Sequence, residues 1–304
     1  MPGKPSPRSQ RKVLPPAPRM VVKEASELMS FLVAQLPHKN RNNIKTLLRD
    51  GQIVVDGQTV TQYNHLLQVG QQVEVRREKG PATNAYKGLT IVFEDEHLIV
   101  IDKQEGLLSI ATDTQKTNTA YYILSGHVKR QNPAAKVFIV HRLDRDTSGL
   151  MVFAKSEQAK KLLQESWQTA VEQRTYLAVT EGVLKQPEGT IRSYLQESKA
   201  LVIYSSQNPN EGQLAITHYQ TLKQTSRYSL VKVDLETGRK NQIRVHMQDL
   251  GHPIVGDIKY GARTNPIGRL GLHAWVLSFT HPITGESLRY QTAVPRKFAG
   301  LFSE

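Results

Sequence analysis

The chain has 304 residues, 38% of them hydrophobic and 22% charged, which is enough for a large folded domain and a smaller one. It contains no cysteine, and this excludes disulfides, iron–sulfur clusters, cysteine-ligated zinc and thiol nucleophiles. Its 40 Lys and Arg residues outnumber 27 Asp and Glu residues, and the formal net charge of +13 favours a polyanionic partner. With no apolar run of membrane-spanning length and no signal-peptide pattern, we expect nucleic acid rather than a membrane as partner, and a cytoplasmic protein.

The first 20 residues are rich in proline and carry five Lys or Arg side chains but no acidic one. Such a segment cannot bury enough apolar surface to order itself, so its composition predicts a disordered basic tail over residues 1–20. Two roles stay open for this tail, namely nonspecific contact with phosphates and solubility alone.

Residues 21–78 have the pattern of a small α/β module. Apolar residues at helical spacing predict a first helix over 22–36 and a second helix from about Asn40. Alternating strand residues follow, and Asp56 with Gly57 predicts a hairpin turn between two short strands.

The predicted second helix carries Arg41, Lys45 and Arg49 at four-residue steps, which puts them on one face. The run RNNIKTLLRDGQIVVDGQTV, with the later VGQQVEV, resembles the small RNA-binding module of ribosomal protein S-four, also called the alpha-L motif. This resemblance implies that the three basic side chains contact RNA phosphates. The alternative is a solvated helix face, the commoner fate of a charged stripe.

Residues 79–88 are polar and are predicted to be a linker, and residues 89–304 are predicted to be a second, larger domain. Strand-like runs in this domain alternate with a few helices, one of which is expected to follow Ser156 as its N-cap. Short turns join neighbouring runs. The pattern therefore predicts an α+β fold with a mixed, largely antiparallel sheet and flanking helices.

The densest polar cluster is HRLDRDTSG, residues 141–149, between two apolar strands. Polar loops held at strand ends are common places for active sites. Asp144 and Asp146 have arginine neighbours that favour the ionised carboxylate, which suits a nucleophile or a stabiliser of positive charge. Asp146 is the better candidate for capping the turn at Thr147. From this chemistry alone, a structural Asp–Arg ion pair is the simpler interpretation.

The longer string HRLDRDTSGL closely resembles the signature of the RluA-type pseudouridine synthases, whose catalytic Asp ends H-R-L-D and corresponds to Asp144. Other motifs of the family recur in the expected order, beginning at Ile91, Arg174, Gly238 and Leu272. The resemblance covers nearly all of residues 89–295 and implies the pseudouridine synthase fold.

Three positions depart from the family pattern. Asp102 stands for the usual Asn and Gln104 for the usual Pro of an N-K-P-x-G motif, so the local turn is expected to differ. Asn241 stands for the His that commonly precedes Q-I-R, which makes any role of that His unavailable but leaves Arg244 in place.

The resemblance implies an activity and a role for each matched residue. Asp144 attacks a uridine in folded RNA, and the base leaves its ribose, rotates and rejoins through carbon 5. Arg244 pairs with Asp144 and holds its carboxylate, while Tyr176 stacks on the flipped base. Arg142 either fills the space that the flipped nucleotide leaves or binds a phosphate.

Neither a cofactor nor a metal is implied, because the sequence has no G-x-x-x-x-G-K-[ST] loop and no H-E-x-x-H motif. The late histidines are therefore expected to be structural or RNA-contacting, namely His246, His252, His273 and His281. A monomer is expected, because the site of the family needs one chain.

Two other functions stay open. A noncatalytic RNA-binding or ribosome-assembly factor on the same scaffold would need a missing or displaced nucleophile, whereas Asp144 is present. A glycosidase or nucleoside hydrolase would usually need a second, paired carboxylate and would release free uracil.

For a synthase, large-subunit ribosomal RNA is the favoured substrate and transfer RNA the alternative. Attack at the anomeric carbon and attack at the uracil ring are both compatible with one Asp.

Overall fold

A computed structural model of the protein describes residues 19–49, 51–60, 63–76, 85–165 and 171–303. The chain divides into two compact units, Met1–Asn84 and Ala85–Glu304. Most of the predicted tail lies outside the described residues, but Arg19 and Met20 belong to the first strand. Among the described helices, none is both long and apolar enough to cross a membrane.

The first unit packs two helices against small antiparallel sheets. Its described elements are β1 (Arg19–Val21), β2 (Ser26–Glu27), α1 (Leu28–Gln35), α2 (Arg41–Arg49), β3 (Ile53–Val55), β4 (Gln58–Thr59), β5 (Leu66–Leu67) and β6 (Gln72–Val75). One sheet has the order β1-β6-β3-β4, and β2 pairs with β5. The helices and strands share one apolar core, in which Leu28, Leu32, Ile44 and Ile53 are fully buried.

The first helix is shorter than its apolar spacing predicted. It begins at Leu28, whereas Val22 continues the path of β1, with its N–H donating to the Gln71 carbonyl at 2.9 Å. Val22 is buried in the same core as the helix, which explains why it fits the helical pattern. Local spacing cannot distinguish a buried residue before a helix from one inside it.

The second helix and the hairpin form as predicted. The Asn40 side chain accepts the Asn43 N–H at 2.8 Å and so caps the start of α2. Asp56 and Gly57 both have positive φ, 47° and 84°, which is the geometry of the tight turn that joins two antiparallel strands.

The second unit is built on one large sheet. Its described strands are β7 (Ala85–Tyr86), β8 (Leu89–Glu94), β9 (Leu98–Lys103), β10 (Phe138–Ile139), β11 (Ser148–Ala154), β12 (Gln173–Glu181), β13 (Glu188–Glu197), β14 (Ile203–Ser206), β15 (Gln213–Gln224), β16 (Tyr228–Leu235), β17 (Leu272–Thr280) and β18 (Ser287–Gln291). Its described helices are α3 (Ala120–Gln131), α4 (Glu157–Glu165), α5 (Gln242–Asp249) and α6 (Arg296–Ala299), with 3-10 turns at Ile258–Tyr260 and Gly300–Phe302. Ala85 and Tyr86, inside the predicted linker, form β7.

The described strands of this sheet follow the order β14-β13-β15-β16-β12-β17-β11-β9-β8-β7, with β10 beside β11 and β18 beside β17. Among the described pairs only β11 with β17 is parallel. Helices cover both faces, since Leu124 of α3 and Leu163 of α4 belong to separate clusters on opposite sides of β9 and β11. The predicted α+β fold with a mixed, largely antiparallel sheet is confirmed.

The parallel pair is unusually close at Gly149. This residue has φ of +112°, and a Cβ on it would lie 2.1 Å from the Ala274 carbonyl oxygen. Glycine is therefore required both by the backbone conformation and by the space. The contact sets the register of β11 against β17, with Ser148 opposite His273.

We expect Gly149→Ala to destabilise the second unit by more than about 4 kcal/mol, because a methyl group cannot fit against the β17 backbone. Gly285→Ala is the matched control, since Gly285 also has positive φ (+74°) but has no atom within 4 Å of its Cβ position. The control is expected to lose only about 1 kcal/mol of strain energy. Urea unfolding measures both, and equal losses would contradict the packing argument.

Candidate active site

Asp144 lies in the loop that connects β10 to β11, at the junction of the two halves of the sheet. Its carboxylate side chain is 36% exposed, so a ligand can reach it. The Asn241 amide donates to Asp144 Oδ2 at 2.5 Å, and Arg244 Nη1 donates to the same oxygen at 3.4 Å. Among the described residues, none donates a hydrogen bond to Oδ1. One oxygen is thus held and the other is available.

Arg244 is held mainly by Asp257. Its Nε and Nη2 each donate to one carboxylate oxygen of Asp257 at 2.7 Å, a bidentate pair that fixes the guanidinium plane. Asp257 is buried, with 1% of its side chain exposed. Because the pair uses Nε and Nη2, the remaining Nη1 points towards Asp144. The predicted contact of Arg244 with Asp144 is present, but it is the longer of its two ion pairs.

A buried lysine anchors the loop of Asp144 from behind. The Lys103 ammonium is fully buried and donates to the carbonyls of Gln104, Leu107 and Arg145 at 2.8–3.1 Å. Burial lowers its pKa to about 8, which still leaves it charged at neutral pH. The three carbonyls use all three donors of the ammonium group, so the turn after β9 and the loop before β11 are tied together.

The loop is also fastened through its own backbone. The Ser109 hydroxyl donates to the Leu143 carbonyl at 2.6 Å, and the Gly106 N–H donates to the Arg145 carbonyl at 2.9 Å. His141 accepts the Val152 N–H at 3.1 Å. Burial, helped by the charge of Arg174, lowers the pKa of His141 to about 3, so it is neutral. These contacts give the loop a defined conformation on a rigid sheet.

Asp144 opens onto a cleft of about 550 Å³. Its described lining includes one carboxylate, Asp144, and five cationic side chains, which are Arg142, Arg174, Arg239, Lys240 and Arg244. Apolar lining comes from Ile139, Val140, Leu143, Leu235, Ile243 and Leu272. A cleft lined by both apolar and cationic side chains fits a flat base attached to a phosphate backbone.

Tyr176 lies in β12 and lines the same cleft as Asp144. Burial raises the pKa of its hydroxyl to about 12, although the charge of Arg174 acts in the opposite direction. Arg174 itself donates to the carbonyls of Leu235 and Glu236, at 3.3 and 2.8 Å, and so is held against β16. Tyr176 therefore offers a neutral aromatic ring at neutral pH.

The other predicted residues lie as follows. Arg142 lines the cleft and is exposed. Asp146 does not cap the turn as predicted, because both of its oxygens accept hydrogen bonds from Arg145, at 3.0 and 3.1 Å. The Thr147 N–H donates instead to the backbone carbonyl of Asp144 at 3.2 Å, so the prediction that Asp146 caps the turn was wrong.

Two of the three predicted RNA-contacting cations lie on the outer face of α2. Arg41 and Lys45 are exposed, while Ile44 and Leu48 on the other side are buried in the core. Arg49 is the last residue of α2, and its side chain lies outside the described part of the structure. The two described cations lie one helical turn apart and can meet neighbouring phosphates.

The departures from the expected motif have local consequences. The Gln104 N–H donates to the Gly88 carbonyl at 2.8 Å, a bond that a proline at this position could not make. The turn is therefore tied to the hairpin of β7 and β8. Burial raises the pKa of Asp102 to about 6, against the opposing charge of Arg269.

The late histidines bond to protein groups. His246 bonds to Ser193 and Thr217, and His273 bonds to Ser148 and Thr292, at 2.6–2.9 Å. His281 contacts Asp95 at 3.0 Å. In the described part of the chain, no group of three or more His, Asp or Glu side chains is arranged to hold a metal ion.

Comparison with known proteins agrees with this geometry. A family model described as RNA pseudouridylate synthase matches residues 97–249, and an S4 domain model matches residues 28–73. Ribosomal large subunit pseudouridine synthase D of Pseudomonas aeruginosa is 34% identical, over 90% of each chain. RNA pseudouridine synthase YhcT of Bacillus subtilis is 34% identical, over 82% of this chain and 84% of the relative.

The chain belongs to the RNA pseudouridine synthase family. A solved structure, human RNA pseudouridylate synthase domain containing 4, matches with a TM-score of 0.57 at 26% identity, covering 69% of this chain and 90% of that one. The resemblance to RluA-type synthases with an S4-like module is thereby confirmed, and so is the assignment as a pseudouridine synthase.

Sequence reasoning missed three residues of this synthase site. Asn241 was noted only as the loss of a histidine, yet it makes the shortest contact to Asp144. Asp257 and Tyr260 lie in the same motif as Arg244 but were not singled out. A usable signal existed, because a buried arginine requires a carboxylate partner and the segment GHPIVGDIKYG contains one acidic residue.

The buried neutral histidines predict loss of stability in acid. Burial lowers the pKa of His246 to about 4 and, with a lesser effect of Arg269, that of His273 to about 3. In the unfolded chain the pKa of a histidine is about 6.5. At pH values between this pKa and the lowered ones, the unfolded chain binds protons at these histidines more readily than the folded chain does. Below pH 6.5 each such histidine lowers the free energy of unfolding by about 1.4 kcal/mol per pH unit.

Urea unfolding at pH 7 and pH 5 tests this for the synthase. His246→Gln should reduce the loss of stability between the two conditions by about 2 kcal/mol. His218→Gln, which removes an exposed histidine of the same unit, is the control for the change of residue type. If wild type and both variants lose the same stability between pH 7 and pH 5, His246 is not the source of the acid sensitivity.

Proposed function

We propose that this synthase isomerises specific uridines to pseudouridine in large-subunit ribosomal RNA, with Asp144 as its nucleophile. The observation that carries the proposal is the placement of Asp144 as the single carboxylate among the described residues that line a basic cleft. Its Oδ2 is held by Asn241 and Arg244, which leaves Oδ1 to attack. A held, ionised carboxylate with one available oxygen suits nucleophilic catalysis.

The isomerisation conserves every atom of the uridine. The bond between the anomeric carbon and N1 breaks, and a bond between that carbon and C5 forms. The proton leaves C5 and N1 gains one, so no oxidant, reductant or energy source is needed. Asp144 forms and then releases a covalent bond, either to the anomeric carbon or to the uracil ring, and the same Oδ1 serves both routes.

The target base must leave its stack before Asp144 can reach it. We propose that the Tyr176 ring stacks on the extruded uracil, because a neutral aromatic face binds an unpaired base without changing its charge. The exposed Arg142 lies on the loop of Asp144 and can occupy the space left in the RNA or bind a phosphate. Arg239 and Lys240, which also line the cleft, can bind the neighbouring backbone.

Ribosomal RNA is proposed because of the relatives. The Pseudomonas aeruginosa relative is named a ribosomal large subunit synthase, and this chain covers 90% of it. The S4-like unit, with Arg41 and Lys45 exposed on α2, supplies a second RNA-binding surface on the same chain. We propose a monomer as well, because the site of the family needs one chain. A ribosomal RNA substrate also supports a cytoplasmic location.

We expect Asp144→Asn to abolish pseudouridine formation, by at least about 10⁴-fold, while RNA affinity stays within about threefold. The variant keeps the shape of the side chain but loses the nucleophilic charge. Asp146→Asn is the matched control, because Asp146 lies in the same loop but pairs with Arg145 outside the lining of the cleft. This control should keep most of the activity.

Carbodiimide mapping of ribosomal RNA from cells with and without the gene provides the measurement. One primer-extension stop should disappear on deletion and return with the wild-type chain but not with Asp144→Asn. Activity of that variant would overturn the role of Asp144. A change in transfer RNA instead would overturn the substrate, and no change in either would favour a noncatalytic RNA-binding protein. Release of free uracil would indicate a hydrolase.

We expect Arg41→Ala and Lys45→Ala to weaken RNA binding uniformly across sequences. Each should lower the slope of log affinity against log salt by roughly one, because one phosphate contact is lost. Lys185→Ala, at an exposed lysine of the second unit, is the control for loss of one charge. Filter binding at several salt concentrations measures the slopes, and an unchanged slope in both α2 variants would contradict the role of this face.

A further inference from the structure

Tyr260 contacts both residues that hold Asp144. Its side chain is 1% exposed. The hydroxyl donates to Asn241 Oδ1 at 3.0 Å, and the ring lies under the guanidinium of Arg244, with Cζ 4.7 Å from the ring centre. Since both partners of the carboxylate touch it, this one side chain can control how the carboxylate is held.

The direction of the hydrogen bonds is set by the backbone. The Ile203 N–H donates to the Tyr260 hydroxyl oxygen at 3.3 Å, and a backbone N–H can only donate. The hydroxyl hydrogen is therefore directed to Asn241 Oδ1. Because that end of the amide accepts, the other end, Nδ2, must face Asp144 Oδ2, where it donates at 2.5 Å.

The backbone of Asn241 also matches this role. Asn241 has φ of +54° and lies immediately before α5, which directs its side chain inward. Asparagine adopts this left-handed conformation more readily than most other residues. The residue is 9% exposed, so few waters can replace the contacts of its amide.

The turn of residues 257–260, which carries Tyr260, also orients Arg244. Asp257 holds its Nε and Nη2, and the Tyr260 N–H donates to the Asp257 carbonyl at 3.0 Å. The turn of residues 257–260 thus supplies the carboxylate at the edge of the guanidinium and the ring against its face. A cation over an aromatic ring in a desolvated position is stabilised electrostatically.

We propose that Tyr260 is a positioning residue, which aims Oδ1 of Asp144 at the uridine by fixing both donors on Oδ2. The inference rests on the proposed function, because it assigns a reaction geometry to Asp144. Without the hydroxyl, the Asn241 amide is free to turn its oxygen towards the carboxylate, which repels it. The effect belongs to the chemical step rather than to RNA binding.

The test compares Tyr260→Phe with wild type in single-turnover and steady-state assays. The ring and its contact with Arg244 remain, so we expect kcat to fall about 10-fold to 100-fold with KM for RNA within twofold. Tyr219→Phe, which removes the same atom from another buried tyrosine of this unit, should retain wild-type kcat. Equal kcat in wild type and Tyr260→Phe would overturn the inference.

A double-mutant cycle separates positioning from a general loss of structure. In an Asn241→Ala background, Tyr260→Phe should have no further effect on kcat, because the hydroxyl acts through the amide. Additive losses would overturn the inference. Asn241→Asp gives an independent measure, since two facing carboxylates should inactivate the enzyme near pH 7 and share a proton at lower pH, with partial recovery.

The two proposals fail in different ways. If wild type makes no pseudouridine in any RNA tested, the proposed function fails. If wild type is active and Asp144→Asn is not, but Tyr260→Phe is fully active, only the positioning role fails. Should Tyr260→Phe not fold, the pH profile of Asn241→Asp decides, and a flat profile at wild-type activity overturns the inference.

Discussion

The parallel contact between β11 and β17 joins the two halves of the large sheet, and the active site is assembled across this junction. Asp144 comes just before β11 in one half, whereas Tyr176 on β12 and Arg244 on α5 belong to the other. The contact is possible because Gly149 has no Cβ to meet the β17 backbone. Side chains about 100 residues apart in sequence are thereby brought within hydrogen-bond distance. A single close backbone contact thus governs the geometry of the whole site.

The charges of the synthase are arranged so that buried ions are satisfied and one carboxylate remains reachable. Lys103 gives its donors to three carbonyls, and Arg244 is paired with the buried Asp257. Such groups cost much free energy when unpaired, so their complete pairing rigidifies the region around Asp144. Arg142, by contrast, is exposed on the lining of the cleft. Positive charge therefore has a structural role inside the site, where Lys103 and Arg244 are paired.

The positions that depart from the family pattern are compensated locally. Gln104 replaces a proline and uses its extra N–H to bind the hairpin of β7 and β8. Asn241 stands where a histidine is common and donates to the Asp144 carboxylate, while its amide oxygen accepts from the Tyr260 hydroxyl. Both side chains thus take part in defined hydrogen bonds, Gln104 to the hairpin and Asn241 to the Asp144 carboxylate.

Signals confined to a few residues were sufficient for much of this protein. The start of a helix near Asn40, the Ser156 cap, the Asp56-Gly57 turn and the string ending at Asp144 could be predicted from the sequence, because each depends on neighbours in the chain. The sequence could not predict that Val22 continues a strand, that Asp146 pairs with Arg145 or that Tyr260 bonds to Asn241. Each of these contacts depends on which of several possible partners the fold brings near. The sequence by itself thus determined the family, the fold class and the candidate nucleophile, whereas only the tertiary structure decided what holds that nucleophile, since sheet register sets hydrogen bonds between distant residues.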